Sequence, residues 1–204
     1  MAGRKRNADP SLFTTGELAA AVNLSPRNVI LLCEREELPI VSGGGGPGQH
    51  RLLDVTGFAR AVVIGAFADA GLSMSEGVKV ANAIWSNRSR SLPQALANYM
   101  SQKALTSSAF ANQPEDLFAT VYDGRHLIIT KDDTTIRSYP NYTADPNQTL
   151  KVYYLDPRIA GSAVFSDKKK FFDHLLKHAR VQIKINVSQA LRRAALQMQM
   201  MKMS

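Results

Sequence analysis

Between Thr14 and Trp85 the apolar residues recur at three- and four-residue spacing, in blocks separated by polar or glycine-containing breaks. That period predicts successive helices. The first is carried by Leu18, Ala21 and Val22. Thr14 and Glu17 precede them at capping-box spacing, which satisfies two orphan N–H groups of a first turn. Asn23 tolerates the left-handed conformation that ends a helix. The second helix has Val29, Leu32 and Cys33 on its inner face, behind Ser25 as N-cap and Pro26 at its first position. Arg27, Asn28, Leu31 and Arg35 are left nearer the outside. A third helix, from Val55 to Ala70, has Phe58, Ala61, Val62, Ile64, Ala66 and Phe67 on so wide an apolar face that heavy burial follows. Asp54 can cap it, Gly65 either weakens the pattern or marks close packing against a neighbour, and Gly71 stops it. Ser73 and Glu76 make a second capping box, opening a helix with Val78, Val80, Ala81, Ile84 and Trp85.

Between the second and third helices the period changes. Leu38 to Val41 and Arg51 to Leu53 read as two short strands. Pro39 cannot donate to a ladder, which puts the first at an edge. The run Gly43-Gly44-Gly45-Gly46-Pro47-Gly48 between them reads as a flexible tip. It lacks the Lys-Ser/Thr ending of a P-loop, which argues against nucleotide binding.

After residue 115 alternation replaces helical spacing. LFATVY, Asp123-Gly124 and RHLIIT together predict a hairpin with a type I′ turn. TTIRSYP and TLKVYYL are further strand candidates, with Asn141, Asp145, Pro146 and Asn147 in the loop between them. The result is a three- or four-stranded antiparallel sheet that needs a covering helix. Ser166 to Arg180, with Phe171, Phe172, Leu175 and Leu176 on one face, can supply it. VQIKI is a short strand. Asn186 or Ser188 caps a last helix whose apolar positions are Ala190, Leu191, Ala194, Ala195, Met198 and Met201; its methionine-rich face suits either a dimer interface or a frayed basic tail. The expected class is α+β. The expected partition is a basic arm over 1–12, a helical and winged domain over 13–88, a helical linker over 89–114, and a C-terminal domain over 115–204.

Helix, turn, helix, two-stranded wing, helices is the order of a winged helix-turn-helix. FTTGELAAAVNLSPRNVILLCEREELPI, followed by GQHRLLDVTGFARAVVIGAFADAGLSMSE, resembles the MerR and excisionase-like winged helix-turn-helix superfamily. FTTGELAAAV is similar to its first helix, SPRNV to the start of its recognition helix, ELP to the step into the wing, HRLLDV to the strand leaving it, and DAGLSMSE to the turn between the later helices. The match spans residues 13–76. It implies that the second helix enters the DNA major groove while the wing holds the backbone. Where family members often carry an Arg-Tyr-Tyr cluster in the recognition helix, this chain has Ile30-Leu31-Leu32. The cysteines that the family's metal sensors carry in their C-terminal region are missing here.

Charge changes this picture in one respect. The 204 residues have a formal net charge of +8, which favours polyanionic partners. Residues 1–90 hold 10 Lys/Arg against 8 Asp/Glu, 91–166 hold 6 against 7, and 167–204 hold 9 against 2. Most of the excess is therefore C-terminal, outside the helix-turn-helix. The single cysteine, Cys33, allows no intrachain disulfide and makes a reducing compartment the default. No apolar run reaches the ~20 residues of a membrane span, and MAGRKRNADP lacks the apolar core of a secretory signal. The expected location is cytoplasmic, in a bacterial nucleoid.

Few residues form constellations for chemistry. His174 and His178 are four apart beside Asp173, but the HExxH glutamate and a third ligand are missing, so no metal is expected. Asp132 and Asp133 read as a turn. Neither serine nor cysteine has a nucleophile's context. Tyr122, Tyr139, Tyr142, Tyr153 and Tyr154 crowd the sheet region, where they can pack the sheet, line a pocket or stack bases. No enzyme and no cofactor are expected. The expected function is transcriptional regulation by binding double-stranded DNA as a homodimer, because one small helix-turn-helix reads too little sequence alone. Arg27 and Asn28 are the candidates for base or phosphate contact, with Arg35 further along the same helix. His50 and Arg51 are candidates for gripping the backbone after the wing tip, and Arg4, Lys5 and Arg6 form a basic arm. Dimerisation, effector sensing or a protein-partner surface is left to the C-terminal domain. The alternatives are an excisionase-like or nucleoid architectural protein that binds through its basic tail, and a protein-interaction adaptor on the same fold. Glu34, Glu36 and Glu37, at the far end of the second helix, would repel phosphate and favour the adaptor.

Overall fold

The computed structural model describes residues 12–43, 50–86, 118–130, 151–154 and 177–203. The order is β1 (Phe13–Thr14), α1 (Thr15–Ala21), α2 (Pro26–Glu34), β2 (Ile40–Ser42), β3 (Leu52–Leu53), α3 (Val55–Asp69) and α4 (Met74–Ser86), then β4 (Phe118–Tyr122), β5 (His126–Thr130), β6 (Lys151–Tyr154), β7 (Gln182–Asn186) and α5 (Val187–Met203). With helices and two antiparallel sheets, the class is α+β.

The helix starts follow from local chemistry. The Thr14 hydroxyl accepts from the Glu17 N–H at 3.2 Å, and the Glu17 carboxylate accepts from the Thr14 N–H at 2.8 Å. Ser25 Oγ accepts from the Asn28 N–H, with Pro26 inside the first turn of α2. Asp54 accepts from the Gly57 N–H at the start of α3, and Ser73 with Glu76 repeats the capping box at α4. The Ser73 hydroxyl and the Ser73 N–H both donate to the Glu76 carboxylate, at 2.7 and 2.9 Å, and hold its pKa below the ordinary value.

Three helices end alike. A residue at positive φ follows the cap, and the next N–H reaches back to a carbonyl five residues earlier, which satisfies the last orphan acceptors. Asn23 (φ 54°) does this for α1, with Leu24 N–H to Ala19 C=O at 3.2 Å. Gly71 (φ 99°) does it for α3, with Leu72 N–H to Phe67 C=O at 3.0 Å. Glu36 (φ 58°) does it for α2, with Glu37 N–H to Leu32 C=O at 2.9 Å.

The first sheet has the order β1-β3-β2. Phe13 faces Leu53 across one ladder, and Ile40 faces Leu53 across the other, with a register shift before Ser42. The strand expected from Leu38 begins at Ile40, because Leu38 turns its N–H back to Leu32 C=O and buries its side chain. Arg51 lies just before β3 rather than in it. The pair predicted as a two-stranded wing thus gains a third strand, β1. β2 is an edge, as expected, although Pro39 lies just before it rather than in its ladder. Beneath this sheet Phe13, Leu18, Val29, Leu38, Leu53, Phe58 and Ile64 are all but fully buried.

The second sheet has the order β6-β5-β4-β7. Asp123 (φ 50°) and Gly124 (φ 65°) make the β4–β5 turn type I′, closed by Arg125 N–H to Tyr122 C=O at 3.0 Å. β7 lies on the other side of β4, from Tyr122↔Gln182 to Phe118↔Asn186. Asp123 Oδ1 accepts from the N–H groups of Arg180 and Val181, each at 2.9 Å, and so ties the hairpin turn to the start of that strand. Lys184 Nζ lies 4.8 Å from the Phe118 ring centre. Asn186 caps α5 by accepting from Gln189 N–H at 2.8 Å. Leu191, Ala194, Ala195 and Met198 of α5 are buried, four of the six apolar positions expected there. The strand TTIRSYP and most of the helix expected over Ser166–Arg180 lie outside the described residues.

The chain divides into two compact units, each discontinuous in sequence. One comprises 1–65, 89–110 and 191–204; the other comprises 66–88 and 111–190. The division falls within α3 and within α5.

Candidate nucleic-acid interface

α2 has one buried and one open side. Val29, Leu32 and Cys33 are in the core, whereas Arg27, Leu31, Glu34 and Arg35 are exposed. Burial follows the three- and four-residue spacing of the apolar positions, and the open residues share the opposite face. Arg27 is in the first turn. Asn28 is half-buried, and its backbone N–H is already committed to the Ser25 cap. Arg35 forms the C-cap, with its own N–H turned back to Leu31 C=O at 3.1 Å.

The β2–β3 connection starts beside this helix. Gly43 has φ 88°, and a Cβ there would stand 2.0 Å from the His50 carbonyl oxygen. Only glycine fits so close a passage at that φ. It brings the two ends of the 44–49 segment together. His50 is exposed, and Arg51 is half-buried with Nη2 3.1 Å from Glu34 Oε1. That pair joins the last turn of α2 to the base of β3.

The acids at the end of α2 thereby acquire separate structural roles. Glu34 neutralises Arg51 across 3.1 Å. The Glu37 carbonyl accepts from Arg60 Nε at 3.0 Å, which attaches α3 to the segment leaving α2. Burial lowers the Arg60 pKa, and the Glu37 charge partly restores it. Glu36 occupies the left-handed position that closes α2. A non-glycine residue there costs about 1–2 kcal/mol. Replacing it with glycine relieves that cost but adds about 0.4–1 kcal/mol of chain entropy to the unfolded state. Glu36→Gly should therefore stabilise the protein by up to about 1.6 kcal/mol, read as a higher midpoint of urea unfolding. An unchanged or lowered midpoint would mean that the Glu36 side chain contributes contacts of its own.

Of the residues singled out for DNA contact, Arg27 and Asn28 are on α2, Arg35 is its C-cap, and His50 and Arg51 lie side by side just before β3. Arg4, Lys5 and Arg6 lie outside the described residues. The Arg51–Glu34 pair has no sequence signature, because the partners are 17 residues apart on different elements. Cys33 is buried, and its thiol is pushed above its ordinary value by burial, against a smaller opposing effect of Arg51. It is a core residue with a suppressed thiolate. Tyr122 is 2% exposed, and burial pushes its hydroxyl pKa up. It packs the sheet and presents no face on which a base can stack. Tyr139, Tyr142, His174, Asp132 and Asp133 lie outside the described residues. Among the described residues no group of three or more His, Cys, Asp or Glu could hold a metal, and no helix is long and apolar enough to cross a membrane. Neither a family model nor a curated protein matches the chain.

Proposed function

We propose that this protein is a non-catalytic, sequence-specific DNA-binding regulator built on a MerR-like winged helix-turn-helix. α2 enters the major groove, and the β2–β3 wing holds the flanking phosphates. The observation that carries this reading is the ion pair between Arg51 and Glu34. It places Arg51, at the base of the wing, beside the last turn of α2. Together helix and wing offer a base-reading face next to a backbone-holding loop, the division of labour between specificity and positioning that duplex recognition needs. Arg27, at the start of α2, is the leading base contact, because helix-turn-helix proteins read with the N-terminal residues of the second helix. His50 and the basic arm of Arg4, Lys5 and Arg6 act on phosphate. A homodimer supplies a second half-site.

The test is binding of the full chain to duplexes selected from a random-sequence pool. Arg27→Ala should weaken binding to the selected site by about 1–3 kcal/mol, roughly 5- to 150-fold, and relax preference at one base pair. His50→Ala should weaken selected and random duplexes alike and lower the salt slope by about one.

A second reading, architectural binding through the C-terminus, is favoured by the 9 Lys/Arg against 2 Asp/Glu in residues 167–204. It predicts a steep salt dependence with little preference among sequences, and indifference to Arg27→Ala.

A further inference from the structure

Of the run Ile30-Leu31-Leu32, which stands where the resembling family often has aromatics, one residue faces outward. Leu32 is 4% exposed and Ile30 is half-buried, whereas Leu31 is 37% exposed. A singly exposed leucine ordinarily needs no explanation. The position of this one is specific. Arg27 and Arg35 are four residues to either side of it, one turn above and one turn below on the same face, and both are exposed. Eight residues of helix rise about 12 Å. The open face of α2 thus has an exposed apolar residue midway between two exposed arginines.

We infer that Leu31 is a specificity-determining residue that recognises the C5 methyl group of thymine on the floor of the major groove. The inference rests on the DNA-binding reading above. In that groove thymine alone of the four bases presents an apolar group at its edge, and an aliphatic side chain reads it by burying it. Arg27, the leading base contact, and Arg35 flank Leu31 one turn away on either side and hold α2 in the groove. Glu34, on the same face, is held by Arg51 at 3.1 Å and is drawn towards the wing base.

The experiment removes only the methyl. Duplexes selected by the full chain from a random pool are remade with each thymine in turn replaced by deoxyuridine, and binding is measured for the unaltered chain and for Leu31→Ala. One or two thymines should prove sensitive, each methyl lost costing the unaltered chain roughly fourfold in affinity. Leu31→Ala should bind the thymine duplex more weakly and be indifferent to those same replacements. Alanine is a good helix former, so the variant should keep the unfolding midpoint, and circular dichroism checks that α2 persists. The inference is overturned, with DNA binding left standing, if deoxyuridine weakens both proteins alike, or if no thymine matters, or if the selected site has no recurring thymine. A pool that yields no enriched sequence overturns both the inference and the reading on which it rests.

Discussion

Phe58→Ala should lower the stability of the protein by about 3–5 kcal/mol, the ordinary cost of deleting a fully buried phenylalanine ring and leaving a cavity. Phe58 is 0% exposed, and its ring centre is 5.0 Å from that of Phe13, tilted by 34°. Phe13 is the first residue of β1 and faces Leu53 across the ladder. Removing Phe58 therefore also loosens the hold of β1 on the sheet, and with it the Thr14 cap of α1. Domains of this size are stable by about 5–15 kcal/mol, so the variant should lose roughly a fifth or more of its margin. Urea unfolding followed by far-UV circular dichroism measures it. A loss under about 1 kcal/mol would mean that the Phe13–Phe58 contact does not anchor this core.

Gly65→Ala should destabilise by about 2 kcal/mol, although the same change in a helix interior usually stabilises by about 1 kcal/mol. A Cβ at Gly65 would come 2.6 Å from the Val22 carbonyl oxygen. That atom is backbone and cannot swing aside, so α3 must move off the end of α1. Overpacking of this kind costs about 1–3 kcal/mol or more, and at so short an approach the upper part of that range outweighs the propensity gain. Gly16, in the exposed first turn of α1, provides the control, because nothing lies within 4 Å of a Cβ built there. Gly16→Ala should stabilise by up to about 1 kcal/mol, leaving the two substitutions about 3 kcal/mol apart. Two variants shifting in the same direction would refute the close approach of α3 to Val22.

On the proposed reading, the open face of α2 serves recognition and contributes little to stability. Arg27, Leu31 and Arg35 are exposed there, so substituting them should cost little stability and bear chiefly on binding. The acids that follow have a different standing. Glu34 is 50% exposed and paired with Arg51, which is 22% exposed. A pair this open to solvent contributes about 0–1 kcal/mol to folding at most, and its effect is to orient the base of the wing.

What the sequence determined by itself was everything decided within about five residues. Thr14 with Glu17, Ser25 with Pro26, Asp54, and Ser73 with Glu76 marked where helices begin, because a cap bonds within its own first turn. Asn23, Gly71 and Asp123-Gly124 marked turns, because their permitted backbone conformations are intrinsic to those residue types. The open side of α2 followed from the 3.6-residue period alone. Tertiary structure decided whatever depends on a distant partner. β1 is two residues long and has no alternation to reveal it; it is a strand because Leu52 and Leu53 lie beside it. Glu36 takes a left-handed conformation that its residue type disfavours, because Leu38 must turn back into the core there. Asp123 accepts hydrogen bonds from residues 57 and 58 positions away, and Arg51 meets Glu34 across 17. The two compact units are assembled from separated segments, whereas hydropathy divides a chain only at points along it. Local bonds are written in local sequence; pairings across a loop are selected by what else the folded chain brings alongside, and no periodicity along the chain records that.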